Sequence, residues 1–184
     1  IHHSDPFEAD IDNDGLNDQQ EVTLKTDPFS ADTDEDRLSD WTEVNVLNTN
    51  PLLRDTDGDG TIDGNEDTDS DDLMDADELD LYGTMPKVAD VDRDGLNDGE
   101  EVSLKTNPAL MDTDGDGISD GVEVNVLHTN PLAQDSDGDG ISDGDEDSDS
   151  DGLPNSDELN KHGTAPVLAD TDKDSLSDGD EVNV

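Results

Sequence analysis

The chain contains no cysteine, which excludes both a disulfide framework and a thiolate metal site. Aromatic residues are nearly absent as well: there are two Phe, one Trp and one Tyr, and hydrophobic residues of all kinds make up 27%. Ordering one residue costs roughly 1–2 kcal/mol of conformational entropy, and so small an apolar supply cannot offset that with a conventional core. Positive charge is scarce too, with 8 Lys and Arg against 55 Asp and Glu and a formal net charge of −47. Nucleic acid is therefore not expected as a partner, because its binding rests on Lys and Arg that neutralise phosphates. No apolar run approaches the roughly 20 residues that cross a bilayer, so no membrane span is expected. Nothing at Ile1 reads as a signal peptide. Two carboxylates 4 Å apart repel by about 4 kcal/mol at an effective dielectric near 20. Composition alone thus predicts a disordered acidic chain unless cations neutralise it and supply folding free energy.

The acids are not scattered. The stretch 112–123, DTDGDGISDGVE, carries carboxylates at places 1, 3, 5, 9 and 12, glycine at place 6 and an apolar residue at place 7. A hard cation such as Ca²⁺ takes six to eight oxygens at about 2.3–2.6 Å. Alternate residues of a tight loop can aim oxygens inward, and glycine at place 6 lets the backbone bend without a Cβ clash. The place 7 carbonyl adds a ligand, and the place 12 Glu closes the shell. Nine such loops begin at Asp10, Asp32, Asp55, Asp67, Asp90, Asp112, Asp135, Asp147 and Asp170. They hold 45 carboxylate places, and 44 of these are Asp or Glu, the exception being Asn155. A merely solvated acidic surface has no reason to keep that register.

The expected ligands follow loop by loop. The first two loops offer Asp10, Asp12, Asp14, Leu16, Asp18 and Glu21, then Asp32, Asp34, Asp36, Leu38, Asp40 and Glu43. The next two offer Asp55, Asp57, Asp59, Thr61, Asp63 and Glu66, then Asp67, Asp69, Asp71, Leu73, Asp75 and Glu78. Asp90, Asp92, Asp94, Leu96, Asp98 and Glu101 follow, then Asp112, Asp114, Asp116, Ile118, Asp120 and Glu123. The seventh and eighth loops present Asp135, Asp137, Asp139, Ile141, Asp143 and Glu146, then Asp147, Asp149, Asp151, Leu153, Asn155 and Glu158. The last presents Asp170, Asp172, Asp174, Leu176, Asp178 and Glu181. The expected cofactor is Ca²⁺, at least about one ion per loop. Place 6 departs from glycine at Arg37, Asp72 and Ser175, and the Asp32 loop, which also has Glu35 at place 4, reads as the weakest site.

Loop starts are spaced by 22, 23, 12, 23, 22, 23, 12 and 23 residues, a pattern that repeats every 80. The organisation expected is a single array over 1–184: a partial connector 1–9, an 80-residue unit 10–89, a second 90–169, and the start of a third at 170–184. Where a connector exists it continues from the loop's Glu with apolar residues at helical spacing, such as Val122, Val124 and Leu127. It then reaches a Thr-x-Pro, whose proline stops the helix. Apolar residues beside the proline (Phe7, Phe29, Leu52, Leu132, Val167) are expected to cover the place 7 side chains. Loops 55–66 and 67–78, like 135–146 and 147–158, abut without a connector, so two ions there must lie close. The fold class expected is a calcium-stabilised linear repeat, solenoid- or rod-like. It is built mostly of loops with helices of one or two turns, little or no β-sheet and no conventional core.

The EF-hand loop has similar spacing, but its apolar residue falls at place 8, and abutting loops leave no room for flanking helices. DTDGDGISDGVEV (112–124), DSDGDGISDGDED (135–147), DVDRDGLNDGEEV (90–102) and the TNP connectors resemble the thrombospondin type 3 repeat in its cysteine-free bacterial form. The resemblance covers the whole chain. It implies a calcium-filled string in a secreted or cell-surface protein, serving as a stalk, spacer, fibre-forming or adhesive segment, often with more than one ion per repeat. The implied setting is extracellular. Partners beyond calcium would be the rest of a longer chain or further copies head to tail, since the chain opens and closes inside a connector. In that arrangement Val182 and Val184 would pack near Phe7 of the next copy.

Two other classes are open to so acidic a chain: a matrix protein that contacts mineral, and a halophile's generally acidic surface. The register of the carboxylates speaks against the halophile surface, and a mineral-contacting protein would favour exposed acidic runs over closed loops. An enzyme is not expected, because His2, His3, His128 and His162 sit in connectors without a nucleophile or a zinc-like cluster. The connector threonines (Thr26, Thr49, Thr84, Thr106, Thr129, Thr164) either bond the turn or carry O-linked sugar, and turn bonding is the simpler reading.

Overall fold

The computed structural model describes residues 10–182. Phe7, and the suggested packing of Val184, lie outside the described residues. The chain divides into two compact units, Ile1–Ala89 and Asp90–Val184, called unit 1 and unit 2 below. Among the described residues there is no strand, and the regular structure is a series of short helical turns separated by loops.

Each turn begins at place 9 of a loop, so the loop's own closing residues start the helix. These are α1 (Asp18–Leu24), α2 (Asp40–Thr42), α3 (Asp75–Asp77), α4 (Asp98–Leu104), α5 (Asp120–Val122), α6 (Asn155–Asp157) and α7 (Asp178–Val182). Place 8 supplies the N-cap. Asn17 and Asn97 form capping boxes with Gln20 and Glu100, and the Ser39 and Ser119 hydroxyls accept from Thr42 and Val122.

The connectors come in two lengths, and the backbone answers each differently. After the loops spaced by 22 residues, the seven-residue helices α1 and α4 end in left-handed Lys25 and Lys105. After loops spaced by 23, the helix widens into a π turn: Glu43–Leu47, Glu78–Tyr82, Glu123–Leu127 and Glu158–His162. These end in left-handed Asn48, Gly83, His128 and Gly163. The extra residue is thus absorbed in one wide turn. The connector threonine still folds back on the same carbonyl: Thr26 N–H donates to Glu21 O at 3.1 Å, and Thr49 N–H donates to Glu43 O at 3.1 Å.

The apolar interior is small. Leu16, Leu38, Leu73, Leu96, Ile118 and Leu153, all at place 7, are buried together with Ala76. Place 7 is exposed in the first loop of each abutting pair (Thr61, and Ile141 at 47%) and in the last loop (Leu176 at 52%). The expected apolar cover is only partial, since Phe29, Leu52, Leu132 and Val167 remain 39–53% exposed. The reason lies in what is buried instead. Among the described residues twenty polar ones are buried, and fifteen of them are Asp or Glu. Burial in this chain is thus carried more by loop carboxylates than by the connector's apolar side chains.

Candidate metal centres

Each loop is shaped by its own first carboxylate. In the Asp112 loop, Asp112 Oδ1 accepts the Gly115 N–H at 2.7 Å and Oδ2 accepts the Gly117 N–H at 3.0 Å. Asp116 Oδ1 accepts the Ile118 N–H at 2.8 Å. These bonds need left-handed backbone at places 4 and 6, and Gly115 and Gly117 have φ of 79° and 99°. Place 6 keeps that conformation without glycine, at Arg37 (88°), Asp72 (77°) and Ser175 (86°). In the Asp32 loop the pattern also stands, with Asp32 accepting from Glu35 at 2.7 Å and from Arg37 at 3.0 Å. Left-handed backbone at place 4 went unread in the sequence, although Asn13, Gly58, Gly115 and Gly138 there were its signal.

The folded backbone brings places 1, 3 and 5 together. Oxygens of Asp10, Asp12 and Asp14 lie within 4.8 Å of one another, as do those of Asp32, Asp34 and Asp36, of Asp55, Asp57 and Asp59, and of Asp67, Asp69 and Asp71. Place 12 is the most deeply buried part of the site: Glu21, Glu43, Glu78, Glu101, Glu123 and Glu158 are each 0% exposed. The connector threonine holds that glutamate. Thr49, Thr84, Thr106, Thr129 and Thr164 donate to Oε1 of Glu43, Glu78, Glu101, Glu123 and Glu158 at 3.1–3.4 Å. These five hydroxyls are therefore engaged in the fold, as the turn-bonding reading expects, whereas the buried Thr26 hydroxyl makes no such bond to Glu21.

Place 9 has a second task. Its carboxylate clasps place 2 across the loop's neck: Asp120 Oδ1 accepts the Thr113 N–H at 2.9 Å and Oδ2 accepts the Thr113 hydroxyl at 2.6 Å. Thr33, Thr56, Thr68, Ser136 and Thr171 repeat both bonds with Asp40, Asp63, Asp75, Asp143 and Asp178. Where a connector precedes the loop, the same hydroxyl also accepts a connector N–H, as at Thr33, Thr56, Ser136 and Thr171 and as Thr113 does from Asn107 at 3.0 Å. Asn155, the one amide among the expected ligands, fits this arrangement. Its Oδ1 accepts from Ser148 N–H at 3.1 Å, while its Nδ2 donates to the Asp143 carbonyl at 2.8 Å.

Place 9 also reaches toward the preceding loop. Asp63 joins Asp36 and Glu43 in a buried cluster whose oxygens lie within 4.8 Å, so one group of carboxylates spans two loops. The backbone is joined there too: place 10 N–H groups donate to the place 5 carboxylate one loop earlier, Trp41 to Asp14 at 3.0 Å and Gly144 to Asp116 at 2.9 Å. In the abutting pairs, Glu66 O accepts Asp75 N–H and Glu146 O accepts Asn155 N–H, both at 2.7 Å. Glu66 and Glu146 are only half-buried and Glu181 is exposed, unlike the other six place 12 residues.

These buried carboxylates lack compensation from protein. Both oxygens of Glu21 and Asp34, and one each of Asp12, Asp36, Glu43, Glu78, Asp92, Glu101, Asp114, Glu123 and Glu158, are buried without a hydrogen bond. The ion pairs Arg37–Asp77 and Lys161–Asp157 lie at the surface and do not reach them. Burial, then the charges of Asp36 and Asp34, push Glu43 up to about 9. Burial and Asp69 push Glu78 to about 8, and burial and Asp114 do the same for Glu123. Buried carboxylates are stable only when paired, protonated or bound to a metal. Oxygen-only donors converging from alternate residues, with deep acidic closure, are the donor set of Ca²⁺. The residues present therefore fit that ion.

Comparison with known proteins agrees with this donor set. The family model "Bacterial TSP3 repeat" matches residues 10–31, 32–53, 90–109, 112–134, 135–146 and 147–169, more than half of the chain. By the 80-residue period, the unmatched loops at Asp55, Asp67 and Asp170 correspond to the matched ones at Asp135, Asp147 and Asp90. No curated protein and no solved structure matches the chain.

Proposed function

The chain belongs to the bacterial TSP3 repeat family, a calcium-binding repeat type that is structural rather than enzymatic, and from that premise we propose an extracellular stalk or spacer whose order depends on calcium. Bound calcium supplies the positive charge that the buried carboxylates lack. Places 1, 3 and 5 present the first oxygens, the place 7 carbonyl adds one, and the place 12 Glu closes the shell. The place 9 carboxylate divides its work between its own loop's neck and the glutamate of the preceding loop. The connector threonine keeps the glutamate aimed. No helix among the described residues is long and apolar enough to cross a membrane. Extracellular calcium modules bind at about 10⁻⁴–10⁻³ M, a range met outside the cell.

The observation that carries this reading is the set of six place 12 glutamates, fully buried, each with at least one oxygen left without a hydrogen bond. Calcium should convert an expanded chain into a compact one. Small-angle scattering with calcium and with chelator tests this, and native mass spectrometry counts the ions. An equal radius in both conditions refutes it. Mg²⁺ should substitute poorly, because it demands a small octahedron.

A further inference from the structure

The two units fasten their abutting loop pairs in different ways. In unit 1, Arg37 at place 6 reaches across two loops: Nη1 donates to Asn65 Oδ1 at 3.0 Å, and Nη2 donates to Asp77 Oδ1. Lys87, beyond the pair, turns back and donates from Nζ to the carbonyls of Val46 and Leu47 at 2.7 and 3.1 Å. Those carbonyls end the π turn Glu43–Leu47, where a cation meets the negative end of the helix. Two positive side chains thus tie residues 55–89 to the loop before them.

Eighty residues later, the counterparts of Arg37, Asn65 and Lys87 are Gly117, Asp145 and Val167, so neither cation exists in unit 2. Neutral amides take over. Asn160 Nδ2 donates to Gly117 O at 2.9 Å, and Gln134 Nε2 donates to Asp114 O. Asp157, the counterpart of Asp77, is paired locally with Lys161. We propose that Arg37 and Lys87 act as built-in cations that keep the abutting pair of unit 1 ordered at lower free calcium than the pair of unit 2. The array then releases its order in two stages. The inference rests on the calcium reading above and adds the order of events.

Total charge makes the opposite forecast. Residues 10–89 hold 25 acidic and 4 basic side chains, a net −21, while residues 90–169 hold 22 and 3, a net −19. If repulsion within these 80-residue stretches decided the matter, the pair within 10–89 would open first.

Hydrogen exchange with mass spectrometry on the full 184-residue chain, over a series of free calcium concentrations, separates these outcomes. Peptides from 55–86 should keep protection to a free calcium about two- to fivefold lower than peptides from 135–166, the range that exposed ion pairs support. Arg37→Gly with Lys87→Val, the residues unit 2 carries, should raise the unit 1 midpoint to that of unit 2. The reverse graft, Gly117→Arg with Asp145→Asn and Val167→Lys, should lower the unit 2 midpoint, and it decides the matter if the first variant does not order at saturating calcium. A common midpoint in the natural chain, an earlier opening of unit 1, or grafts that move nothing overturns the inference. Exchange that ignores calcium everywhere overturns the calcium reading itself, and this inference with it.

Discussion

Glycine 144 offers a test of the contact between successive loops. It sits at place 10 of the Asp135 loop, and its backbone lies directly against the place 5 residue of the loop before. A Cβ built there would meet the Asp116 carbonyl oxygen at 2.3 Å, far inside ordinary contact. Its N–H also donates to Asp116 Oδ2 at 2.9 Å. Gly144→Ala must therefore push two backbones apart. Overpacking of that kind costs about 1–3 kcal/mol, and a strained hydrogen bond to a charged group adds about 1.5–3 kcal/mol. The stiffer unfolded chain of the alanine variant returns about 0.4–1 kcal/mol, so a net loss of about 2–5 kcal/mol is expected.

Gly138→Ala is the control. Gly138 has φ of 77°, yet nothing lies within 4 Å of a Cβ built on it, so only the left-handed penalty of about 1–2 kcal/mol applies. The same backbone bond is made at place 10 with and without a side chain: Trp41 N–H stands 3.0 Å from Asp14, and Gly121 N–H stands 2.6 Å from Asp94. The assay is thermal unfolding at fixed calcium, with hydrogen exchange of peptides from 112–158 to localise the effect. Gly138→Ala as costly as Gly144→Ala, or costlier, would refute the argument that close approach, not left-handed backbone, decides the matter at these glycines.

Further outcomes can be checked in the same chain. Thr113→Val removes the hydroxyl that links Asn107, Thr113 and Asp120 but leaves the backbone bond to Asp120 intact. It should cost about 1–2 kcal/mol by calorimetry, and the natural Ile11 and Val91 at place 2 make complete unfolding a failed expectation. Acidity should favour the metal-free fold. Glu78, Glu101 and Glu123 are pushed from an ordinary 4.5 to about 8, and Glu43 to about 9, with burial the leading cause in each. The folded state therefore holds more protons than the unfolded one, its stability is fullest below pH 4.5, and it declines as pH rises toward 8–9. Scattering from the metal-stripped chain should show a smaller radius at pH 5 than at pH 8, and equal radii would count against the buried place 12 glutamates.

Much of this arrangement could be read from residue order alone, because the information is local. Places 1, 3, 5 and 12 fall within one 12-residue stretch, and the helix that follows each Glu carries its own caps and its own stop. What escaped was either ambiguous in kind or distant in sequence. An Asp at place 9 looks the same whether it faces a cation or clasps Thr at place 2, and only Asn155, whose amide also donates, hints at the second task. The links from place 5 to place 10 span 27 or 28 residues, and no periodicity of apolar residues marks them. Arg37 reads from the sequence as a weakness at a glycine position, and its guanidinium becomes a tether only when Asn65 and Asp77 arrive from 28 and 40 residues away.

The π turns have a consequence for how such a chain tolerates change in length. A residue inserted in most repeats would rotate everything beyond it and move each side chain to a new face. Here the connector with one residue more widens one of its turns and still returns its threonine to its own loop's glutamate, as Thr106 does to Glu101 across five residues and Thr129 to Glu123 across six. The connector behaves as an expansion joint: it takes up a discrepancy of one residue and passes the next loop on in phase. Single insertions between a glutamate and its threonine are thereby kept from propagating, whereas one between places 1 and 5 has no such joint to absorb it.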